Sequence, residues 1–185
     1  MLLGGPSGVG KSTLGEDLNK HGALFIEADM HGADAIGSFG LREAWDDFYV
    51  RVDPMPLARE LEQRRLAGRK SHVVLGLPSD PLSPSHLSAA RGILRIQFLF
   101  GPGDVCMRNF IKRERQPVSL HPGMEAFWHN NNDRLMAALL TADYAPHTTV
   151  AIREDGQRVP TEDLVQRLFN QSTPARCCGP DPGPT

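Results

Sequence analysis

The sequence predicts a three-layer α/β fold, in which a five-stranded parallel sheet is covered by helices on both faces. Short apolar runs alternate with stretches of helical spacing, and this alternation is typical of parallel strands joined by crossover helices. A glycine-rich loop lies between the first apolar run and the first helical stretch. The chain has 185 residues, which is enough for one domain with a sizeable core.

The predicted strands are short and apolar. The first is the "MLL" that opens the sequence. The others are "ALFIEA" at 23–28, "HVVLGL" at 72–77, "ILRIQFLF" at 93–100 and "TTVAI" at 148–152. Because a central strand usually has about five or six residues, the first strand is either unusually short or continues in residues upstream of Met1.

The predicted helices lie between these runs. The first is "STLGEDLNK", directly after the glycine-rich loop. The others cover 56–68 (through Leu57, Leu61 and Leu66), 124–140 (through Phe127, Leu135, Leu139 and Leu140) and 160–169. Residues 171–185 are rich in proline and glycine and lack a periodic apolar face, so we expect a disordered tail after a domain formed by 1–170.

The glycine-rich loop has the strongest motif in the chain. From Gly5 to Ser12 it fits the phosphate-binding pattern G-x-x-x-x-G-K-[ST]. Its glycines let successive backbone N–H groups point at anionic oxygens. Lys11 is expected to reach the β- and γ-phosphates of ATP, and the Ser12 hydroxyl to ligate Mg²⁺. The motif predicts the P-loop NTPase fold, with the phosphates held by Gly5, Pro6, Ser7, Gly8, Val9, Gly10, Lys11, Ser12 and Thr13.

Composition narrows the class of protein. The net charge of -2 argues against a nucleic-acid partner, and no apolar run is long enough to span a membrane. The motif follows Met1 so closely that we expect no signal peptide. Three cysteines, of which Cys177 and Cys178 are adjacent, make a poor disulfide framework and favour a reducing compartment. We therefore expect a cytoplasmic enzyme, monomeric or weakly dimeric.

Three classes of P-loop protein compete. A GTPase needs a guanine-reading N-K-x-D motif, but "NKHG" at 19–22 lacks the aspartate, and "DMHG" at 29–32 comes too early to be its switch. A motor-type ATPase places an acid at the end of an apolar strand, whereas "VVLGLPSD" delays that acid to Asp80. A small-molecule kinase is the first hypothesis. An ATPase or nucleotide-binding module without a small acceptor is the alternative.

The motifs "GGPSGVGKST" and "FIEADMH", followed by a late arginine-rich segment, resemble the shikimate kinase and gluconate kinase group. The resemblance implies phosphoryl transfer from ATP to a hydroxyl group of a small molecule. It also implies that Asp29 lies between this hydroxyl and Mg²⁺, as a general base, a metal ligand or both. A helix cap or turn is the alternative for Asp29, and His31 either bonds the acceptor or is solvated.

The sequence departs from both kinases at the acceptor side. Gluconate kinases have Asp-Asp-x-His after the second strand, where this chain has Asp-x-His. Shikimate kinases have three glycines after the third strand, where this chain has "GLPSD". The identity of the acceptor is therefore left open.

The same resemblance implies a lid over residues 113–123. Arg108, Arg113 and Arg115 belong to "RNFIKRERQPVSLHPG" at 108–123. Closing cations stabilise the charge of a transferring phosphoryl group and exclude water. Arg113 and Arg115 are predicted catalytic residues, and Arg108 is predicted to bind the nucleotide. The alternative is an ordinary charged helix face.

Two further segments have predicted binding roles. In "REDGQRVP" at 153–160, the resemblance implies that Arg158 stacks on the adenine base, although a plain turn fits equally well. Residues 30–53 are predicted to bind the acceptor. This segment holds Arg42, Trp45, Tyr49 and Arg51. These side chains suit a small anionic or polyhydroxylated molecule, or else the aromatic rings are core and the arginines extend to solvent.

Overall fold

The computed structural model describes residues 1–28, 35–79, 81–114 and 122–170 of the chain. Its centre is a five-stranded sheet of order β2-β3-β1-β4-β5, in which all neighbouring strands are parallel. This order confirms the predicted α/β fold with a parallel sheet. The strands are β1 (Leu2–Gly4), β2 (Leu24–Glu27), β3 (Val73–Gly76), β4 (Ile96–Phe100) and β5 (Thr148–Val150).

The short first strand is the central strand of the sheet. In β1, Leu2 is in register with Leu75 of β3 on one side and with Ile96 of β4 on the other. Met1 extends the ladder, because its carbonyl oxygen accepts a hydrogen bond of 2.9 Å from the Leu75 N–H. The loop that follows Gly4 therefore begins at the carboxyl edge of the sheet, where ligands bind in open α/β folds.

Eight α-helices are described, and a 3₁₀ turn at Ala145–His147 precedes β5. The predictions for the first, fourth, seventh and eighth helices agree with the structure to within a few residues. The second, third and fifth helices are short or lack a clear apolar period, and no helix was predicted there. The helices are α1 (Lys11–Lys20), α2 (Ala35–Ser38), α3 (Arg42–Arg51), α4 (Met55–Ala67), α5 (Pro84–Ala90), α6 (Gly103–Glu114), α7 (Pro122–Leu139) and α8 (Thr161–Asn170). None of the described helices has the length and apolar character of a membrane span.

The sheet is covered on both faces, which confirms the three-layer arrangement. Successive side chains of β1 enter different cores: Leu2 packs in one and Leu3 in the other. The first core includes buried residues of α3, α4, α5 and α7. The second includes buried residues of α1, α6 and α8. Strands buried on both faces account for the continuous apolar runs in the sequence.

Three apolar residues of the predicted helical spacing are exposed in the structure. Leu66, Phe127 and Leu140 are 61%, 52% and 74% exposed. Leu66 lies five positions after the buried Leu61, which rotates it away from the sheet. Leu140 lies just beyond the last residue of α7, and Phe127 makes an edge contact with Trp128 on the outer part of that helix.

The aromatic residues of 30–53 divide between core and surface. Trp45 and Phe48 of α3 are buried, and Tyr49 is 38% exposed. The ring of Trp45 stacks on that of Tyr49, with a centroid distance of 5.5 Å. Arg51 is exposed and pairs with Asp47 one turn earlier in α3. For Trp45, Phe48 and Arg51 the structure therefore supports the core alternative, and residues 29–34 lie outside the described part of the chain.

Candidate functional site

The phosphate-binding motif forms a tight loop between β1 and α1. Gly5, Gly8 and Gly10 have φ angles of 145°, 81° and 107°. Gly10 is also the residue before the first turn of α1. The loop thus ends at a helix N-terminus, where free backbone N–H groups and the helix dipole favour an anion.

The loop is in direct contact with the backbone of α6. A Cβ atom added at Gly8 would lie 1.9 Å from the carbonyl oxygen of Cys106 and 2.8 Å from the backbone nitrogen of Phe110. Neither atom belongs to a side chain that can rotate away. Gly8 is therefore required both for its positive φ and for the space that α6 occupies.

We expect Gly8→Ala to disrupt the loop, and Gly22→Ala to serve as its control. Gly22 has a similar φ of 83°, but an added Cβ there would meet no described atom within 4 Å. Left-handed strain alone costs about 1–2 kcal/mol, whereas overpacking adds about 1–3 kcal/mol at Gly8. Thermal unfolding should show a larger loss of stability in Gly8→Ala than in Gly22→Ala. ATP calorimetry should show a loss of binding in Gly8→Ala only. Equal effects of the two variants would contradict the close packing of α6 on the loop.

The ammonium group of Lys11 is buried inside the loop. Its Nζ atom donates hydrogen bonds to the carbonyl oxygens of Gly5 at 2.6 Å and Pro6 at 3.3 Å. It also lies 3.5 Å from the Oγ atom of Ser79. A buried charge is tolerated only where polar groups surround it. Here the carbonyl oxygens of Gly5 and Pro6 provide such an environment for the charge of Lys11.

An acidic residue that was not singled out in the sequence lies beside Ser12, the residue that follows this lysine. Glu27 ends β2, and its Oε1 atom accepts a hydrogen bond of 2.5 Å from the Ser12 hydroxyl. Its signal in the sequence was an acid at the carboxyl end of the second strand, two positions before Asp29. The hydroxyl and carboxylate oxygens are ligands that Mg²⁺ prefers, usually with one or two protein groups beside the phosphates. Ser12 and Glu27 therefore fit a magnesium site, although the described residues contain no group of three His, Cys, Asp or Glu that could hold a metal alone.

A small cavity joins the loop to α6 and α7. Its volume is about 30 Å³. Its walls are Pro6, Ser7, Gly8, Gly10, Lys11, Ser12, Glu27, Phe110, Arg113 and Trp128.

Of the predicted catalytic residues outside the loop, Arg113 is brought to this cavity. Its guanidinium carbon lies 5.5 Å from the centre of the Phe110 ring, and this ring contacts Trp128 at 5.2 Å. Asp29 and Arg115 lie outside the described residues, as do 115–121 of the predicted lid. Their roles stay predictions.

Arg158 lies on the other side of the loop, next to a second hollow. Its Nη1 atom would be 3.3 Å from a Cβ atom added at Gly10. The turn that carries it is closed by a bridge between Ile152 and Arg158. The hollow is lined by Val9, Gly10, Thr13, Leu14, Leu99, Ala151, Arg158, Val159, Thr161 and Leu164. Contact between Arg158 and a base stays a prediction.

Among the described residues, Arg108 lines neither the cavity at the loop nor the hollow next to Arg158. It is exposed on α6 and pairs with Asp104 one turn earlier, at 3.2 Å. An exposed pair of this kind contributes little to stability. Its predicted contact with a nucleotide has no support in the described contacts.

A larger cavity, of about 400 Å³, lies at the opposite edge of the sheet. It is bordered by the residues before β3 and β4, including His72 and Arg95, and by Phe169 of α8. Its described walls include no residue of the phosphate-binding loop. We therefore place the candidate site at the smaller cavity, where the loop converges with Glu27 and Arg113.

Cys106 forms part of the contact between α6 and the loop. Burial raises the pKa of its thiol to about 11, and the nearby charge of Lys11 offsets only part of this shift. The thiol is therefore protonated near neutral pH.

Comparisons with known proteins found similar solved structures only. No protein-family model matches the chain, and no curated protein matches its sequence. The shikimate kinase from Acinetobacter baumannii in complex with shikimate is 15% identical, with 91% of this chain and 89% of that chain covered and a TM-score of 0.47. The shikimate kinase from Bacteroides thetaiotaomicron is 19% identical, with 91% of this chain and 95% of that chain covered and a TM-score of 0.48. The Deinococcus radiodurans tunicamycin resistance protein is 16% identical, with 92% of this chain and 93% of that chain covered and a TM-score of 0.46.

Proposed function

We propose that the protein is an ATP- and Mg²⁺-dependent kinase, which transfers the γ-phosphate to a hydroxyl group of a small polar or anionic molecule. The observation that carries this proposal is the buried Lys11 ammonium group, held inside a glycine-rich loop beside the Ser12–Glu27 pair. A nucleoside triphosphate with its metal requires a cation, the N–H groups of a helix N-terminus and an adjacent pair of oxygen ligands.

Each residue of the site has a separate task in this proposal. The loop N–H groups bind the phosphates, and Lys11 exchanges its bonds with the Gly5 and Pro6 carbonyl oxygens for phosphate oxygens. Ser12 and Glu27 hold Mg²⁺, which neutralises charge on the phosphates when it is bound. Arg113 adds a second positive charge at the open side of the cavity, where it stabilises the transferring group and excludes water.

The acceptor side of the proposal rests on Asp29, which lies outside the described part of the chain, and on residues 30–53, of which 35–53 are described. Asp29 is the proposed base for the acceptor hydroxyl, since it follows β2 two positions after Glu27. Residues 30–53 are the proposed acceptor-binding segment. We propose a small-molecule acceptor, no nucleic-acid or membrane partner, and a cytoplasmic monomer or weak homodimer.

The proposal is tested by measuring ADP release from ATP·Mg²⁺ against a panel of hydroxyl-bearing molecules. The panel holds sugar acids, shikimate-like acids, nucleosides and antibiotics, and each is measured with and without EDTA. A steep, EDTA-sensitive rise in ADP release with one compound is the expected result. Hydrolysis that is independent of every compound favours an ATPase without a small acceptor. Absence of ATP and ADP binding in calorimetry would overturn both functions.

A further inference from the structure

A fully buried asparagine of α7 is bonded to the phosphate-binding loop. Asn132 is 0% exposed. Its Oδ1 atom accepts a hydrogen bond of 2.8 Å from the Ser7 N–H, and its Nδ2 atom donates one of 3.2 Å to the Ser7 carbonyl oxygen. The same Nδ2 atom lies 3.0 Å from the sulfur of Met107. One side chain therefore forms hydrogen bonds with both the backbone N–H and the backbone carbonyl group of one loop residue.

Asparagine is an unfavourable choice for this position unless the bonds are needed. It is a weak helix former, and a buried amide is costly when it lacks partners. An apolar residue would fill the same space with a higher helix propensity. The two bonds to Ser7 supply the physical reason for an amide here.

The bonds hold the loop at Ser7. Gly8 is in contact with the backbone of α6, and the preceding Ser7 is bonded to α7. The Ser7 hydroxyl lies 2.9 Å from that of Ser79, which follows β3. Because α6 and α7 are the two helices on either side of residues 115–121, both helices next to the predicted lid contact the loop.

We propose that Asn132 is a positioning residue for the phosphate-binding loop. By fixing the peptide groups on both sides of Ser7, it directs the N–H groups that follow toward the phosphates. It also links the occupancy of the loop to the position of α7, whose Trp128 lines the cavity. The part of this inference that concerns phosphates rests on the proposed function, whereas the ordering of the loop does not.

The test compares Asn132→Leu with Asn131→Leu. Asn131 is the adjacent residue of α7 and is also buried, at 7% exposure, but the described contacts include no bond from it to the loop. We measure amide hydrogen exchange over residues 7–12 and the Kd of ADP·Mg²⁺ by calorimetry. Because Asn132→Leu removes two hydrogen bonds, we expect the exchange rates of the loop amides and the Kd of ADP·Mg²⁺ each to rise by about 10- to 30-fold. For Asn131→Leu both should stay within about twofold of the wild type, since differences of this size are below one hydrogen bond.

The readouts separate positioning from a general structural role. A residue that only supports the core would lower protection in the whole domain, and exchange in the loop would then rise no more than in β3 and β4. Such a result, or equal loop exchange in the two variants, would overturn the inference. If Asn132→Leu does not fold, Asn132→Ser is measured in its place, because its shorter side chain cannot span both bonds to Ser7. If the wild type binds no nucleotide, the proposed function fails, and exchange in the loop still decides the role of Asn132.

Discussion

Lys11→Met is expected to remove most of the ATP affinity and turnover of the protein while the fold survives. The methionine side chain fills the volume of the buried lysine stem, but it has no charge and no donor. The loop then loses the cation that the structure holds between the Gly5 and Pro6 carbonyl oxygens. Loss of one preorganised donor to a reacting group typically costs about 10²–10³ in rate. The measurements are ATP calorimetry and ADP release with the acceptor found by screening.

A second lysine of the same helix serves as the control. Lys20 ends α1, is exposed, and pairs with Asp17 at 2.9 Å. Lys20→Met makes the same chemical change at the other end of α1, and exposed pairs contribute about 0–1 kcal/mol, so binding and turnover should stay near the wild-type values. Lys11→Ala is less informative, because it also leaves a cavity where the lysine stem was. Normal ATP binding by a folded Lys11→Met variant would contradict the phosphate-loop assignment.

The fold could be predicted because its main signals are local. Each strand is a continuous apolar run, and such runs persist only where both faces of a strand are buried. The loop motif is also local, since all its residues lie within one turn and the start of one helix. Leu66, Phe127 and Leu140 belong to the predicted apolar spacing but are exposed, because a simple apolar period does not show where a helix leaves the core.

The places of Glu27, Ser79 and Asn132 in the candidate site could not be predicted, because their contacts join distant parts of the chain. Ser12 and Glu27 are 15 positions apart, Ser7 and Ser79 are 72 apart, and Ser7 and Asn132 are 125 apart. No spacing rule connects such pairs, and tertiary packing alone brings them together. Glu27 was the nearest to being found, since it shares the carboxyl end of β2 with the predicted Asp29. A strand end supplies adjacent positions on both faces of the sheet, and the sequence cannot show which of them faces the loop.

The two acids at the carboxyl end of the second strand, Glu27 and Asp29, are expected to have separable effects. Glu27→Gln keeps the shape of the side chain and an oxygen for the Ser12 hydroxyl, but it removes the charge next to that hydroxyl. Loss of a group that holds or orients a metal typically costs about 10- to 100-fold in metal affinity or activity. We therefore expect the Mg²⁺ concentration for half-maximal turnover to rise. Raised Mg²⁺ should restore part of the rate.

Asp29→Asn is expected to lower turnover without this dependence on Mg²⁺. A positioned base contributes about 10²–10⁴ in rate, and an interaction made only in the transition state changes turnover rather than ATP affinity. ATP calorimetry and Mg²⁺ titrations of turnover are measured for both variants, with Glu62→Gln as a control. Glu62 is exposed on α4, where it pairs with Arg65. If raised Mg²⁺ restores Asp29→Asn, this acid belongs to the metal site. If turnover is unchanged in Asp29→Asn, Asp29 is a cap or turn residue, and the proposed transfer to a hydroxyl group loses its base.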